Sequence, residues 1–220
     1  MGRLRRFYAS AVGKKVVMGV TGLIGVGFVI LHSLGNLLVF RGPDAINSYS
    51  NFLKSTGELL WALRVVLLLA VFFHVTAAVQ LTRQSRSARP LGYAKREVQV
   101  ATLASRTMRW GGALLLVFIV LHILHFTTGT IRPAGVFSRT DVYANVVSSF
   151  RLWWVSLFYV VSMLALGLHL FHGAWSSTRS IGVSPPSPQP LHRRLSLGIA
   201  LLVWAAFTSV PLAVVAGFVR

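Results

Sequence analysis

The stretch VVMGVTGLIGVGFVILHSLGNLLVF, residues 16–40, decides how the rest of the chain is read. It is an apolar run without a single Asp, Glu, Lys or Arg, and Lys14 and Lys15 stand immediately before it. A helix rises about 1.5 Å per residue, so about 20 such residues cross the hydrocarbon core of a bilayer. The run exceeds the about 7–15 residues of a signal-peptide apolar region, and no small-x-small cleavage pattern follows it. It predicts a transmembrane helix. Within it lies His32, an ionisable side chain where such groups are costly.

Four further stretches have the same character: residues 59–81, 110–128, 152–176 and 195–218. The expected fold is therefore an all-α membrane protein of five transmembrane helices, forming a single integral-membrane domain over residues 1–220. Pro211 is expected to kink the fifth helix, as membrane helices tolerate. Composition agrees: 55% of residues are hydrophobic and 12% charged, against about 45–50% and about 25% in soluble proteins. A mean hydropathy of +0.68 excludes soluble, disordered and fibrous classes. The net charge of +18 does not indicate a nucleic-acid binder, which needs a polar body to carry its basic patch. With no Cys, the chain itself offers no disulfide, no thiolate zinc site and no iron–sulfur ligation.

The basic residues orient the helices. Arg3, Arg5, Arg6, Lys14 and Lys15 precede the first span. Arg83, Arg86, Arg89, Lys95, Arg96, Arg106 and Arg109 lie between the second and third, and Arg179, Arg193 and Arg194 between the fourth and fifth. Only Arg41, Lys54, Arg132, Arg139, Arg151 and Arg220 fall on the other side, with Arg64 inside a span. Cytoplasmic loops carry the excess of Lys and Arg. The N-terminus is thus expected in the cytoplasm and the C-terminus outside, in contact with anionic lipid and docked partners on the basic face. On the outer side Arg41-Gly42-Pro43-Asp44 reads as a turn, and residues 46–54 as a short interfacial helix. On the inner side the Pro-rich segment 184–190 reads as a stiff extended connector. No soluble domain fits between the spans, so chemistry needing a large soluble site must come from another chain.

Six of the seven His lie within spans: His32, His74, His122, His125, His169 and His172. The alternative role for each is a hydrogen bond to a neighbouring helix. Depth separates them. His32 lies eight residues before Phe40 and His122 six before Thr128, on outward-running helices. His74 lies seven before Leu81 and His169 seven before Ser176, on inward-running helices. That makes an outer pair and an inner pair, with levels on the order of 10–15 Å apart. The separations of 42 residues from His32 to His74 and 47 from His122 to His169 give the layout a duplicated look. Two hairpins packed as a four-helix bundle would bring the pairs face to face. A bis-imidazole pair is what a six-coordinate b-type haem requires, and it favours electron transfer. Zinc prefers four ligands.

Gly22, Gly25, His32 and Gly35 fall near one face of the first helix, where small residues admit a porphyrin or a partner helix. Gly111 and Gly112 read the same way. His125 and His172 each stand three residues beyond a candidate ligand and could replace it, donate to a haem propionate or quinone carbonyl, or be satisfied locally. His192, beside Arg193 in a loop, reads as a surface residue.

Several segments resemble the five-span, dihaem b558-type cytochrome b anchors of succinate dehydrogenases and fumarate reductases. They are Gly13-Lys14-Lys15-Val16-Val17-Met18 leading to Leu31-His32-Ser33-Leu34-Gly35-Asn36, the pair Phe73-His74, and Arg109 leading to Val120-Leu121-His122. His169-Leu170-Phe171-His172-Gly173-Ala174-Trp175-Ser176 and the run from Arg41-Gly42 to Asn47 complete the likeness. The resemblance implies two haem b groups, the outer on His32 and His122 and the inner on His74 and His169. It implies a flavoprotein subunit carrying FAD and an iron–sulfur subunit with its clusters, both docked on the cytoplasmic face. Electrons would pass through the haems to a membrane quinone, typically menaquinone. The chain departs from relatives that carry a glutamate near the fourth-span ligand, because Gly167 stands two residues before His169. Asp44, Glu58, Glu97 and Asp141 lie at or beyond span ends, so no carboxylate relay through the bundle is expected.

Candidate quinone or propionate residues are Glu58, Arg64, Arg109, His125, His172 and Trp175. For Glu58 the competing role is a helix-start carboxylate, for Arg64 snorkelling to the interface, and for Trp175 interfacial anchoring. The expected function is an electron-transfer and quinone-site subunit of a bacterial succinate dehydrogenase in the cytoplasmic membrane, with no catalytic residue for the dicarboxylate and no nucleic-acid partner. The rival readings are the cytochrome b of a hydrogenase or formate dehydrogenase, and a haem-free transporter relaying protons through His.

Overall fold

A computed structural model of the chain describes residues 2–88, 103–182 and 190–220. They form eight α-helices: α1 (Arg3–Ala9), α2 (Ala11–Asn36), α3 (Pro43–Ser55), α4 (Glu58–Ser87), α5 (Leu103–His122), α6 (Val142–Phe150), α7 (Trp153–Ser180) and α8 (Pro190–Val215). A 3₁₀ turn, Leu37–Arg41, prolongs α2, and a π-helical turn, Ile123–Thr127, prolongs α5. With those turns α2, α4, α5, α7 and α8 are long and apolar enough to cross a membrane, which matches the five expected spans.

The helices outrun their apolar segments. α4 continues past Leu81 to Ser87, and α5 starts at Leu103 rather than Trp110. Hydropathy marks where a side chain must suit lipid, whereas backbone hydrogen bonding persists through flanking polar turns such as Gln84–Arg86. α8 runs unbroken through Pro211. It opens at Pro190, a position in the first turn where the missing N–H costs nothing. His192 consequently lies in that helix and is half-buried, not in a loop. The rest of the proline-rich connector, 184–189, lies outside the described residues, as do Arg89, Lys95, Arg96 and Glu97.

At the end of the bundle that holds Arg41, called outer after the expected orientation, the expected turn is present. Gly42 has φ +91°, a conformation that suits glycine, and Pro43 then opens α3. A second short helix, α6, was not anticipated. Asp141 caps it, its carboxylate accepting from the Ala144 N–H at 3.0 Å. The same carboxylate accepts from the Asn47 amide at 3.0 Å, and Asn47 Oδ1 accepts from the Tyr143 N–H at 3.0 Å. α3 and α6 are thereby pinned together over a cluster that includes Val39, Ile46, Val147, Phe150, Val210 and Val214.

Of the spans, α7 is the hub. It packs on α2, α5 and α8, while α4 packs on α2. A third of the most apolar window is buried in α7, against 11% in α4, which presents most of its surface outward. The lateral order is α4, α2, α7, α5, with α8 seated against α7 and α2. In that order α2 lies diagonal to α5, and α4 diagonal to α7.

The Ala144 N–H, and after it the Asn47 amide, hold the Asp141 carboxyl below its ordinary value near 3.8. A lowered carboxyl pKa gives stability that is present above the ordinary value and lost as the pH falls through the lowered one. Asp141→Ala is therefore expected to loosen α6 by on the order of 1 kcal/mol. Faster limited proteolysis between residues 128 and 150 at neutral pH would show it, and acidification would narrow the gap to the parent protein.

Candidate functional site

The diagonal arrangement brings four half-buried His together in two pairs. On the outer level the ring centres of His32 (α2) and His122 (α5) are 5.9 Å apart, with ring planes at 78°. On the inner level those of His74 (α4) and His169 (α7) are 6.1 Å apart, at 57°. An imidazole nitrogen bonds a metal ion at about 2 Å, with the ring centre about 1 Å behind it. Two rings flanking one ion thus have centres on the order of 6 Å apart. Both pairs fit that requirement. Among the described residues no three His, Cys, Asp or Glu converge as a metal cluster. A haem iron needs only two from the protein, since the porphyrin supplies the other four bonds.

Hydrogen bonding sets the tautomers where it is visible. His74 Nδ1 lies 3.0 Å from the Met18 carbonyl oxygen and 3.4 Å from Thr21 Oγ1. A carbonyl only accepts, so Nδ1 carries the proton and the Nε2 lone pair is free for a ligand. His169 Nδ1 is buried and has no hydrogen-bond partner among the described residues. Such orphaned nitrogens are uncommon in protein interiors. The outer pair sits among aromatic rings. Phe28 stacks on His32 at 5.2 Å, Phe118 on His122 at 5.5 Å, and Phe207 of α8 lies 5.6 Å from His32.

Two glycines make room for the inner pair. A Cβ on Gly22 would stand 3.2 Å from the His74 ring, and one on Gly112 would stand 3.8 Å from that of His169. Each precedes the His of its own helix by ten residues, Gly22 before His32 and Gly112 before His122. Ten residues are about 15 Å of helix, which measures the distance between levels. This repeated Gly-to-His interval was visible in the sequence. Beside Gly25 no atom stands within 4 Å of a Cβ position, whereas Gly35 packs against the Tyr49 ring of α3. The glycine face thus serves partly the imidazoles and partly ordinary helix packing.

The remaining candidates are dispersed. His125 is 6% exposed and has both ring nitrogens engaged, Nδ1 with Tyr159 Oη at 3.0 Å and Nε2 with Ser149 Oγ at 2.9 Å. Nothing in the sequence pointed to Tyr159, Ser149, Met18 or Thr21 as their partners, because only the packing of α6, α7 and α2 brings them close. His172 is half-buried one turn beyond His169. Arg64 turns its guanidinium over the Trp61 ring at 5.0 Å, toward the outer end of α4. Arg179 similarly covers Trp175 at 5.5 Å. Glu58 is the exposed first residue of α4, where the helix dipole favours a carboxylate, and Arg109 is exposed on α5.

Along nearly its whole length the chain is similar to the succinate dehydrogenase cytochrome b558 subunit of Bacillus subtilis (strain 168). Identity is 26% over 201 residues, covering 90% of this chain and 92% of that one. No family model matches the chain, and no solved structure matches it.

The glycine contacts carry a paired prediction. Gly22→Val forces the His74 ring from its place against Met18, and under the expected ligation of one haem by each His pair it would cost the inner haem. Gly112→Ala, whose new methyl meets His169 at ordinary van der Waals distance, is expected to keep both. Haem-to-protein ratios of the two purified variants check this.

Proposed function

We propose that the chain is the dihaem cytochrome b membrane-anchor subunit of a succinate:quinone oxidoreductase, a single integral-membrane unit of the bacterial cytoplasmic membrane. The observation that carries this reading is the pair of facing imidazoles at each of two levels, 5.9 and 6.1 Å apart. The similarity to the Bacillus subtilis subunit supports the choice of enzyme over hydrogenase and formate dehydrogenase. On this reading His32 and His122 hold the outer haem, and His74 and His169 the inner one. A haem held by two imidazoles would supply one-electron transfer.

The chain's own residues bind, orient and exclude water. The Met18 carbonyl holds His74 by its Nδ1 and leaves Nε2 free as a ligand. Gly22 and Gly112 leave the inner rings their space. Phe28, Phe118 and Phe207 keep the outer pair dry. The basic inner ends of α4, α5 and α7, with Arg83, Arg86, Arg106, Arg109 and Arg179, form the face on which the flavoprotein and iron–sulfur subunits dock. FAD and iron–sulfur clusters reside in those subunits, and the chain contributes the haems and a menaquinone (or other quinone) site. Glu58 and Arg64 at the outer level, and Arg109, His172 and Trp175 at the inner, are the side chains able to meet a quinone head group or a propionate. The N-terminus faces the cytoplasm and the C-terminus the outside, because α1 and the connection from α4 to α5 carry the excess of Lys and Arg.

Pyridine haemochrome analysis of the purified complex is expected to give two b haems per chain, reducible in two steps. His32→Ala or His122→Ala removes one of them, and His74→Ala or His169→Ala the other. Retention of both haems in His122→Ala would defeat the ligand assignment, and a haem-free folded complex would defeat the cytochrome reading. Because the chain has no Cys, single replacements also report sidedness. Ser87→Cys is expected to be shielded from impermeant maleimide in intact cells, and Ser55→Cys to be labelled.

A further inference from the structure

We propose that Tyr159, His125 and Ser149 form a directed hydrogen-bond chain that positions His122 and sets the electron donation of its imidazole, and hence the potential of the outer haem. The inference rests on the functional reading above. Its basis is a buried network that the proposed ligation leaves unused. Tyr159, His125 and Ser149 are 7%, 6% and 3% exposed. Their contacts run without a break: His122 Nδ1 to Tyr159 Oη at 3.5 Å, Tyr159 Oη to His125 Nδ1 at 3.0 Å, and His125 Nε2 to Ser149 Oγ at 2.9 Å.

The directions of these bonds follow from a single condition. For His122 to present Nε2 as a ligand, its Nδ1 carries the proton and donates, and the facing atom in reach is Tyr159 Oη. The tyrosine has one proton of its own, which it donates to His125 Nδ1. The His125 proton then resides on Nε2 and is donated to Ser149 Oγ. Every link has one donor and one acceptor, and such chains polarise cooperatively in a low-dielectric interior. The backbone is shaped for it. The π-helical turn Ile123–Thr127, closed by the Thr128 N–H donating to the Ile123 carbonyl at 3.0 Å, carries His125 between α6 and α7. π turns of this kind recur where a side chain must be displaced from the helical register. The His125 ring is held there by stacking on Phe126 at 4.0 Å.

The inner pair has a different arrangement. His74 donates to a single fixed carbonyl, and His169 Nδ1 has no hydrogen-bond partner among the described residues. An imidazole that donates a hydrogen bond is a more basic ligand and favours the more positive, ferric iron. The chain therefore lowers the outer potential relative to an unassisted imidazole, and removing it acts on one haem only.

Tyr159→Phe deletes the hydroxyl and keeps the ring packing. Redox titration of the intact complex is expected to show one of the two haem steps moved upward by about tenfold in the reduction equilibrium, about 59 mV for one electron, with the other in place. Ser149→Ala, which cuts the far end, is expected to move the same step in the same direction by less. It supplies the measurement if Tyr159→Phe loses the outer haem. Both steps unmoved in the variants that retain two haems, or both steps moved equally, would overturn the inference. A parent complex with fewer than two haems would instead overturn the functional reading on which it rests.

Discussion

Four imidazoles inside an apolar bundle are the constraint around which this structure is arranged. A buried polar nitrogen without a partner costs on the order of 1–3 kcal/mol, so each ring must meet a carbonyl, a hydroxyl, another ring or a bound group. Placing the rings on diagonal helices answers this twice over. α2 faces α5 at the outer level and α4 faces α7 at the inner, so the rings of each pair come within about 6 Å of one another. Diagonal placement also dictates where bulk is forbidden. At Gly22 an added Cβ would crowd the His74 ring at 3.2 Å, whereas at Gly112 it would meet His169 at an ordinary 3.8 Å.

The outer end shows how rigid elements support such a site. α3 and α6 lie across the ends of the spans and are joined by Asn47 and Asp141. α6 brings Ser149 within 2.9 Å of His125, and α7 brings Tyr159 to the same ring. The capping carboxylate at Asp141 is therefore connected, through one short helix, to the surroundings of His122. The inner end is plainer. Its hydrogen bonding to the rings comes from α2 itself, through Met18 and Thr21.

Much of this was legible in the residue order. Apolar runs of membrane length are a direct consequence of the lipid solvent, which explains why the five spans could be placed and why their helical ends, set by backbone hydrogen bonding, could not. Depth was legible because helix rise is fixed, so counting residues from span ends pairs His32 with His122 and His74 with His169. α6 was missed because nine residues with a modest apolar face resemble a loop, although Asp141 three residues before Ala144 was a capping signal. For Arg64 the residue order allows both a partner at the outer level and snorkelling to the interface, and its guanidinium lies over Trp61 at 5.0 Å.

What the sequence determined by itself was the number of spans, the two His levels and the crowding of basic residues on one side. These depend on quantities that run along one chain: apolar length, rise per residue and charge position. Only the tertiary structure decided which helices are diagonal, that His125 is committed to Tyr159 and Ser149 while His122 faces His32, and which glycines serve the rings. His122 and His125 are three residues apart and nearly indistinguishable by helical spacing. Their separation comes from a π turn and from the packing of α6 and α7, contacts between segments distant in sequence that no local periodicity encodes.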